Sequence, residues 1–243
     1  MDILKNSKIT LKKSFEFPCS YIDGNLERRL YIDLKKSKNE NLLINELTLN
    51  GFRRNHDHMY IPICKKCTLC ISSRINIKKF SFSKSNKRNI KTNDNFILTK
   101  QLKNKSLERF NLFKEYCVIR HSNGQMKNMN ISEFENFFYK SSNNKIVFDL
   151  VDKNKKILGS ILLDILDNGY SAVYSFFNPS KNYKGLGINI ILKTIKFLKK
   201  ERIAHLYLGY WVKESAKMNY KNKFNSLELF VDGKWLPNNT INF

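Results

Sequence analysis

The spacing of apolar residues changes character along the chain. Between Leu107 and Ile119 they recur as Leu107, Phe110, Leu112, Phe113, Tyr116 and Cys117, which is helical spacing, and the run stops before Arg120 and His121. A second helix is predicted over Ile131–Tyr139, where Ser132 and Glu135 stand at capping-box spacing ahead of Phe137 and Phe138. From Lys145 the helical period disappears. IVFDLV, ILGSILLDIL and YSAVYSFF are short runs rich in β-branched and aromatic residues, separated by KNKK and DNG, and they predict antiparallel strands. Asp167-Asn168-Gly169 supplies residues that tolerate positive φ, so the last two runs form a hairpin.

After Phe177 the turn-forming stretch NPSKNYKGLG leads into INIILKTIKFLKKE, with Ile188, Ile191, Ile195 and Leu198 on one helical face, and HLYLGYWV follows as a strand. Strand, basic glycine-containing loop, amphipathic helix and buried strand is the order found in the centre of a GNAT-type acyltransferase fold. The expected architecture is therefore α/β (α+β), with a GNAT-like half at residues 101–243 and a smaller cysteine-containing region at residues 1–100. In the first region short apolar stretches alternate with a cysteine cluster, and Ser83–Asn95 is rich enough in Asn, Lys and Ser to read as a mobile arm.

Composition adds a partner to this outline. The 243 residues are 42% hydrophobic and 13% aromatic, with only 9 Gly and 4 Pro, so the chain buries a core. Its formal charge of +23 attracts polyanions through long-range attraction and counterion release, which favours RNA. A Lys-, Asn- and Ile-rich coding bias would leave the same charge as solvated surface lysine. No apolar run approaches the about 20 residues that span a bilayer, and Met1–Thr10 has no signal-peptide core, so a cytoplasmic protein without membrane association is expected.

Four segments carry candidate chemistry. In KGLG, Lys184, Gly185 and Gly187 precede a helix N-terminus, where unpaired N–H groups favour an anion such as a phosphate; the same geometry is also an ordinary turn. Cys64, Cys67 and Cys70 form CxxCxxC, a spacing that suits zinc or an iron–sulfur centre if Cys19 or one of His56 and His58 completes the set; packed reduced thiols are the alternative. Arg74, Lys78, Lys79, Lys87 and Arg88 lie in an acid-free stretch interleaved with Phe80 and Phe82, which fits either phosphates and stacked bases or a solvated edge strand with its phenylalanines in the core. His121 and Asp164 are candidate proton acceptors, and Asp167 either shares that role or only shapes its turn.

Taken together, CSYI, GFRR, YIPICKKCTLC, SRINIKKF, KRNIKTN, YCVIRH, DILDNGYSAVYSFFNP, KGLG, HLYLGYWV and MNYKNKF resemble, in this order, the arginyl-/leucyl-tRNA–protein transferase family. The likeness is greatest to its short bacterial branch, the aspartate/glutamate leucyltransferases, and it spans about Pro18–Trp235. The resemblance implies that leucine passes from its tRNA to the α-amine of a protein beginning with Asp or Glu, in N-degron turnover and with no required cofactor. Aminoacyl-tRNA and such proteins are then the partners. Arg53, Arg54, Arg74 and Arg120 are expected to recognise the acidic side chain, and Asp164, Tyr174 and His121 to stand near the chemistry. Lys78, Lys79, Lys87, Arg88 and the KGLG loop are expected to hold tRNA. Arginine as donor, a noncatalytic RNA-binding protein and a CoA-dependent acetyltransferase are the competing expectations. Where the family usually has RSLG this chain has KGLG, and where it has DDG this chain has DNG, with Asn168 in place of a carboxylate. Longer relatives carry an N-terminal cysteine pair for a cluster, against the single Cys19 here.

Overall fold

The computed structural model describes residues 10–37, 39–101, 106–122, 124–140 and 143–241, so the expectation that Met1–Thr10 has no signal-peptide core falls on residues that, Thr10 apart, lie outside it. Its elements run β1 (Leu11–Lys13), β2 (Phe17–Pro18), β3 (Leu26–Glu27), β4 (Arg29–Asp33), α1 (Glu40–Leu49), β5 (Arg53–Asn55), β6 (His58–Pro62), β7 (Ile71–Asn76), α2 (Lys84–Thr92) and β8 (Ile97–Lys100). They continue with α3 (Ser106–Arg120), α4 (Ile131–Glu135), β9 (Lys145–Val151), β10 (Ile157–Leu166), β11 (Gly169–Phe177), α5 (Leu186–Lys200), β12 (His205–Trp211), β13 (Leu227–Val231) and β14 (Lys234–Pro237). The chain is mixed α/β. It packs as two compact units, one of residues 1–80, 166–171 and 205–243, the other of residues 81–165 and 172–204. Compactness thus does not follow chain order, because the described residues from His205 onward fold with those before Ser81.

In the first unit a four-stranded sheet has the order β1-β4-β6-β5, and a second sheet runs β14-β13-β7-β12. The first three residues of β11 pair in parallel with the start of β12. Ile32, Leu34, Leu43, Ile44, Leu47, Met59, Leu166 and Tyr207 form one core cluster, with Trp235 packed on it. β7 lies between β13 and β12, so it is not an edge strand, although Phe80 sits in the core as that alternative has it. Ile75, Ile77 and Phe80 are buried while Lys78 and Lys79 are exposed.

The second unit orders its strands β11-β10-β9-β8. Its core is aromatic: Phe113, Phe134, Phe138 and Phe176 are fully buried, with ring centroids 5.0 Å apart for Phe113–Phe134 and 4.5 Å for Phe134–Phe138. The face of α3 turned inward comprises Arg109, Leu112, Phe113 and Cys117, whereas Leu107 is 59% exposed. On α5 the buried residues include Ile191, Ile195 and Leu198 of the predicted face, together with Asn189 and Thr194.

Two local expectations are corrected. The capping box belongs to Asn130 and Glu133 rather than Ser132 and Glu135: Asn130 Oδ1 accepts from Glu133 N at 2.9 Å, and Glu133 Oε2 accepts from Asn130 N at 2.8 Å. The helix therefore starts two residues earlier than the Ser-x-x-Glu spacing suggested, since Asn caps as well as Ser. The supposed mobile arm at Ser83–Asn95 is instead α2, which Ser83 caps by accepting from Asn86 N at 3.2 Å. Asn93 closes its other end by donating to Asn89 O at 2.9 Å. Polar residues read as low complexity were helix caps.

Candidate functional site

In the first unit the geometry centres on β12. Its parallel pairing with β11 covers Gly169↔His205, Tyr170↔Leu206 and Ser171↔Tyr207, and then stops. Gly169 is required there, because a Cβ would lie 2.5 Å from the His205 carbonyl oxygen. β12 then breaks register against β7 between Tyr207 and Gly209. Gly209 has φ +71°, and a Cβ on it would stand 3.0 Å from Arg53 Cδ and Nε and 3.1 Å from Cζ. The bulge and the missing side chain together let the Arg53 guanidinium lie against the strand. Arg53, Ser72, Ser73, Ser171, Tyr207 and Trp235 line a cavity of about 10 Å³ beside it, the size of one water.

Arg53 is surrounded by phenols. Burial opposes its charge, but Tyr60, Tyr21, Tyr210 and Tyr220 more than offset this, and its pKa is raised. Tyr210 donates to Tyr60 O at 2.8 Å and is held well above the usual phenol pKa by burial and by Tyr60. Lys221 is 2% exposed and donates to the Tyr210 carbonyl. Burial, and then Arg53, lower its pKa well below that of an ordinary lysine.

A polar network joins the other end of β12 to its neighbours. Arg74 Nε donates to Glu228 Oε2 at 2.7 Å, and its guanidinium lies 4.5 Å from the Trp235 ring centroid. Asn76 Nδ2 donates to Glu228 Oε1 at 2.9 Å, and Tyr207 donates to Asn168 Oδ1 at 3.1 Å. The Asn of the DNG turn thus serves as an acceptor. Asp167 is fastened to Asn45, which donates to Oδ2 at 2.9 Å and accepts from the Asp167 backbone at 3.1 Å. Its turn-shaping role is the one the structure supports.

His205 stands 3.2 Å from the Asn168 carbonyl through Nδ1, and burial, followed by Arg74, holds its pKa below the usual value. The unfolded chain therefore binds this proton at higher pH than the folded one. The stability His205 contributes is complete above about pH 6.5 and is lost as the pH falls through the window below it. Denaturant unfolding between pH 5 and 7.5 is expected to show that decline, and H205Q is expected to flatten it. An unchanged slope in H205Q would remove His205 as a source.

The predicted residues fall into separate settings. Among the arginines, Arg53 faces the phenol cluster, whereas Arg74 is paired with Glu228 and Arg54 is 3% exposed and donates to His56 O at 2.9 Å. Arg120 belongs to the second unit, exposed, 5.9 Å from the Phe177 ring. His121 is exposed beside Tyr116, and Tyr174 packs in the aromatic core with its hydroxyl 3.7 Å from Cys117 Sγ. Asp164 is 1% exposed within β10 and accepts from Asn143 at 2.7 Å.

Cys19, Cys64, Cys67 and Cys70 are half-buried free thiols. Burial, then Glu27 and the other three cysteines, push Cys70 up to about 12. Among the described residues, no three His, Cys, Asp or Glu side chains converge as metal ligands, and Cys19 Sγ instead accepts from Tyr21 N at 3.4 Å. Cys70 is nevertheless within electrostatic reach of Cys19, Cys64 and Cys67.

In the second unit α2 is stapled to the KGLG loop. Asn89 donates to Gly185 O at 3.0 Å, Asn93 to Lys184 O at 3.2 Å, and Asn189 to Asn89 Oδ1 at 3.1 Å. Gly185 takes φ +73° as the residue before α5, where a Cβ would meet Asn89 Nδ2 at 2.5 Å. A Cβ on Gly187 would lie 2.6 Å from the Phe177 ring. These contacts gather Lys87, Arg88 and Lys184, all exposed, near the N-terminus of α5, whose first turn holds no acid.

Of the blocks CSYI, HLYLGYWV and MNYKNKF, the sequence pattern marks only Cys19 as a candidate. Tyr21, His205, Tyr207, Gly209, Tyr210, Tyr220 and Lys221 all come from these blocks. The available signal was a glycine and several aromatics within otherwise apolar strand sequence. Among the described residues, no helix is long and apolar enough to cross a membrane.

Family models match both parts of the chain: arginine-tRNA-protein transferase, N terminus, over residues 17–88, and arginine-tRNA-protein transferase, C terminus, over residues 108–231. The aspartate/glutamate leucyltransferase of Ruegeria pomeroyi is 34% identical over 219 residues, covering 90% of this chain and 80% of that one. The protein of the same name from Saccharophagus degradans is 33% identical over 219 residues, covering 90% and 92%. Among solved structures, FemX superposes with a TM-score of 0.50 at 9% identity, over 89% of this chain and 82% of that one, a likeness of fold. A GNAT-family acetyltransferase from Staphylococcus aureus superposes with a TM-score of 0.38 at 17% identity, over 53% and 81%. By both family models and by identity along nine-tenths of its length, the chain belongs to the arginine-tRNA–protein transferase family.

Proposed function

We propose that this chain moves leucine from its tRNA to the N-terminal α-amine of proteins beginning with Asp or Glu. The observation that carries the reading is identity of 33–34% along 90% of the chain to proteins named aspartate/glutamate leucyltransferase. In the reaction, the free α-amine attacks the ester carbonyl carbon, the tetrahedral intermediate collapses, and the bond to the ribose oxygen breaks. The amine loses its proton, the ribose hydroxyl gains one, and a peptide bond forms. The ester is already activated, so the transfer requires no ATP and no cofactor. It takes place in the cytoplasm, where charged tRNA is available, and the added leucine marks the protein for N-degron turnover.

The basic surface of α2 and the KGLG loop suits the tRNA backbone, and the Arg53 cluster suits the acceptor. Reversing charge with K87E/R88E is expected to raise the KM for charged tRNA about tenfold at low salt and to leave peptide KM unchanged. It should also lower the slope of log affinity against log salt by about 1.5, because two phosphate contacts are lost. A salt slope equal to that of the unmodified protein would remove these residues from the interface.

The decisive assay is transfer of labelled leucine or arginine from charged tRNA to peptides beginning with Asp, Glu, Lys or Ala. Leucine on Asp and Glu peptides alone supports the reading. Arginine transfer would favour the donor in the family models' own description. No transfer of either label would overturn the reading.

A further inference from the structure

Among the described residues three cationic side chains are almost completely buried, and they are treated differently: Arg54, 3% exposed, donates to the His56 carbonyl. Arg109, 0% exposed, is paired with Asp149. Lys221, 2% exposed, has a backbone carbonyl as its acceptor, no carboxylate partner among the described residues, and another cation, Arg53, as its charged neighbour. A buried cation without a counter-charge is costly, and native structures seldom keep one that has no use. A carboxylate that is ion-paired through only one of its oxygens lies nearby. Glu27 is 1% exposed, its Oε1 accepts from Arg29 Nε at 2.5 Å, and its Oε2 is buried with no hydrogen-bond partner. Tyr21 is within electrostatic reach of both Arg53 and Glu27, and Cys70 of both Glu27 and Lys221. Arg53, Tyr21 and Tyr220 are only half-buried, so the cluster reaches solvent through them.

A side-chain cluster with one cationic group that has no carboxylate partner and one carboxylate oxygen that has no donor complements a ligand that carries both charges a few bonds apart. The N-terminal residue of an acidic acceptor is such a ligand, with its α-ammonium next to a side-chain carboxylate. We propose that Lys221, with Arg53 beside it, receives the acceptor's side-chain carboxylate, and that Glu27 Oε2 receives its α-ammonium. This rests on the transferase reading given above and assigns the specificity for Asp and Glu to Lys221. A neutral Asn or Gln terminus leaves the cation unanswered and is rejected for that reason.

The test is calorimetric titration of the full chain, without tRNA, with Asp-Ala-amide and Asn-Ala-amide, alongside thermal melting. The unmodified protein is expected to prefer the Asp peptide by at least about tenfold, the worth of one charge-assisted hydrogen bond. K221M should abolish that preference while leaving Asn-peptide binding and Tm unchanged or higher, since methionine fills the same space without a buried charge. E27Q should weaken both peptides alike, because both present an α-ammonium. No Asp preference in the unmodified protein overturns the proposal, as does a preference that survives in K221M. A fall in Tm with equal loss of both peptides in K221M also overturns it and makes Lys221 structural. The two readings fail separately. Discrimination that depends on Lys221 without leucyl transfer would leave this site standing and remove the donor, whereas transfer with K221M as selective as the unmodified protein would do the reverse.

Discussion

Asp149→Leu is expected to cost about 3–5 kcal/mol, the scale for stranding one partner of a buried ion pair, and so to consume a large part of the about 5–15 kcal/mol that holds a typical domain folded. Arg109 and Asp149 are both 0% exposed. Arg109 Nε donates to Oδ1 at 2.8 Å and its second terminal nitrogen to Oδ2 at 2.6 Å, a bidentate pair. Ser160 adds a third donor to Asp149 Oδ1 at 2.7 Å, and Arg109 in turn reaches the Tyr139 hydroxyl at 2.9 Å. Side chains of α3, β9, β10 and the turn after α4 thus meet on one ion pair. Without Asp149 the guanidinium stays fully buried with its carboxylate partner gone. The double variant R109M/D149L is expected to recover most of the loss, because an apolar pair of similar volume carries no desolvation cost, although Ser160 and Tyr139 then lose partners. Denaturant midpoints for the single and double variants decide the matter. Equal destabilisation in both would show that the charge pair is not the source.

That ion pair also marks the boundary of what the sequence makes legible. Period and residue type place α3, β9, β10, β11, α5 and β12 within a residue or so of their observed bounds, because each buries a regular apolar face. Arg109 sits on the inward face of α3, where apolar spacing alone would put a hydrophobe, and its partner is 40 residues away. Such pairings leave no periodic trace. The same limit applied at the candidate site. Arg53 was singled out from GFRR, but the tyrosines around it come from positions 21, 60, 210 and 220, which only the fold brings together. The polar stretch Ser83–Asn95 hides its helix for a related reason. Its Asn and Ser residues are caps and staples, and their role depends on a partner loop about 90 to 100 residues further on. Charge and composition were informative about the kind of partner and silent about the pocket.

Gly209→Ala is expected to lower kcat/KM for Asp- and Glu-ended peptides on the order of 100-fold, equivalent to about 2.7 kcal/mol, mainly through KM. Two costs combine. The backbone at φ +71° strains any L side chain by about 1 kcal/mol, and the added methyl would stand 3.0–3.1 Å from three atoms of Arg53, which must move. Arg53 has little freedom to do so, since it lies between the bulge of β12 and the four phenols. A displaced guanidinium reaches a bound carboxylate at the wrong angle, and much of a charge-assisted hydrogen bond is lost with angle and distance. Gly233→Ala separates the two costs: at φ +76° it carries the same backbone strain, but a Cβ there meets nothing within 4 Å. Both variants should lose comparable stability in thermal melts, and only G209A should lose acidic-peptide turnover, with KM for charged tRNA unchanged. If G233A lost as much activity as G209A, strain would account for the effect and Arg53 would have no claim on the acceptor.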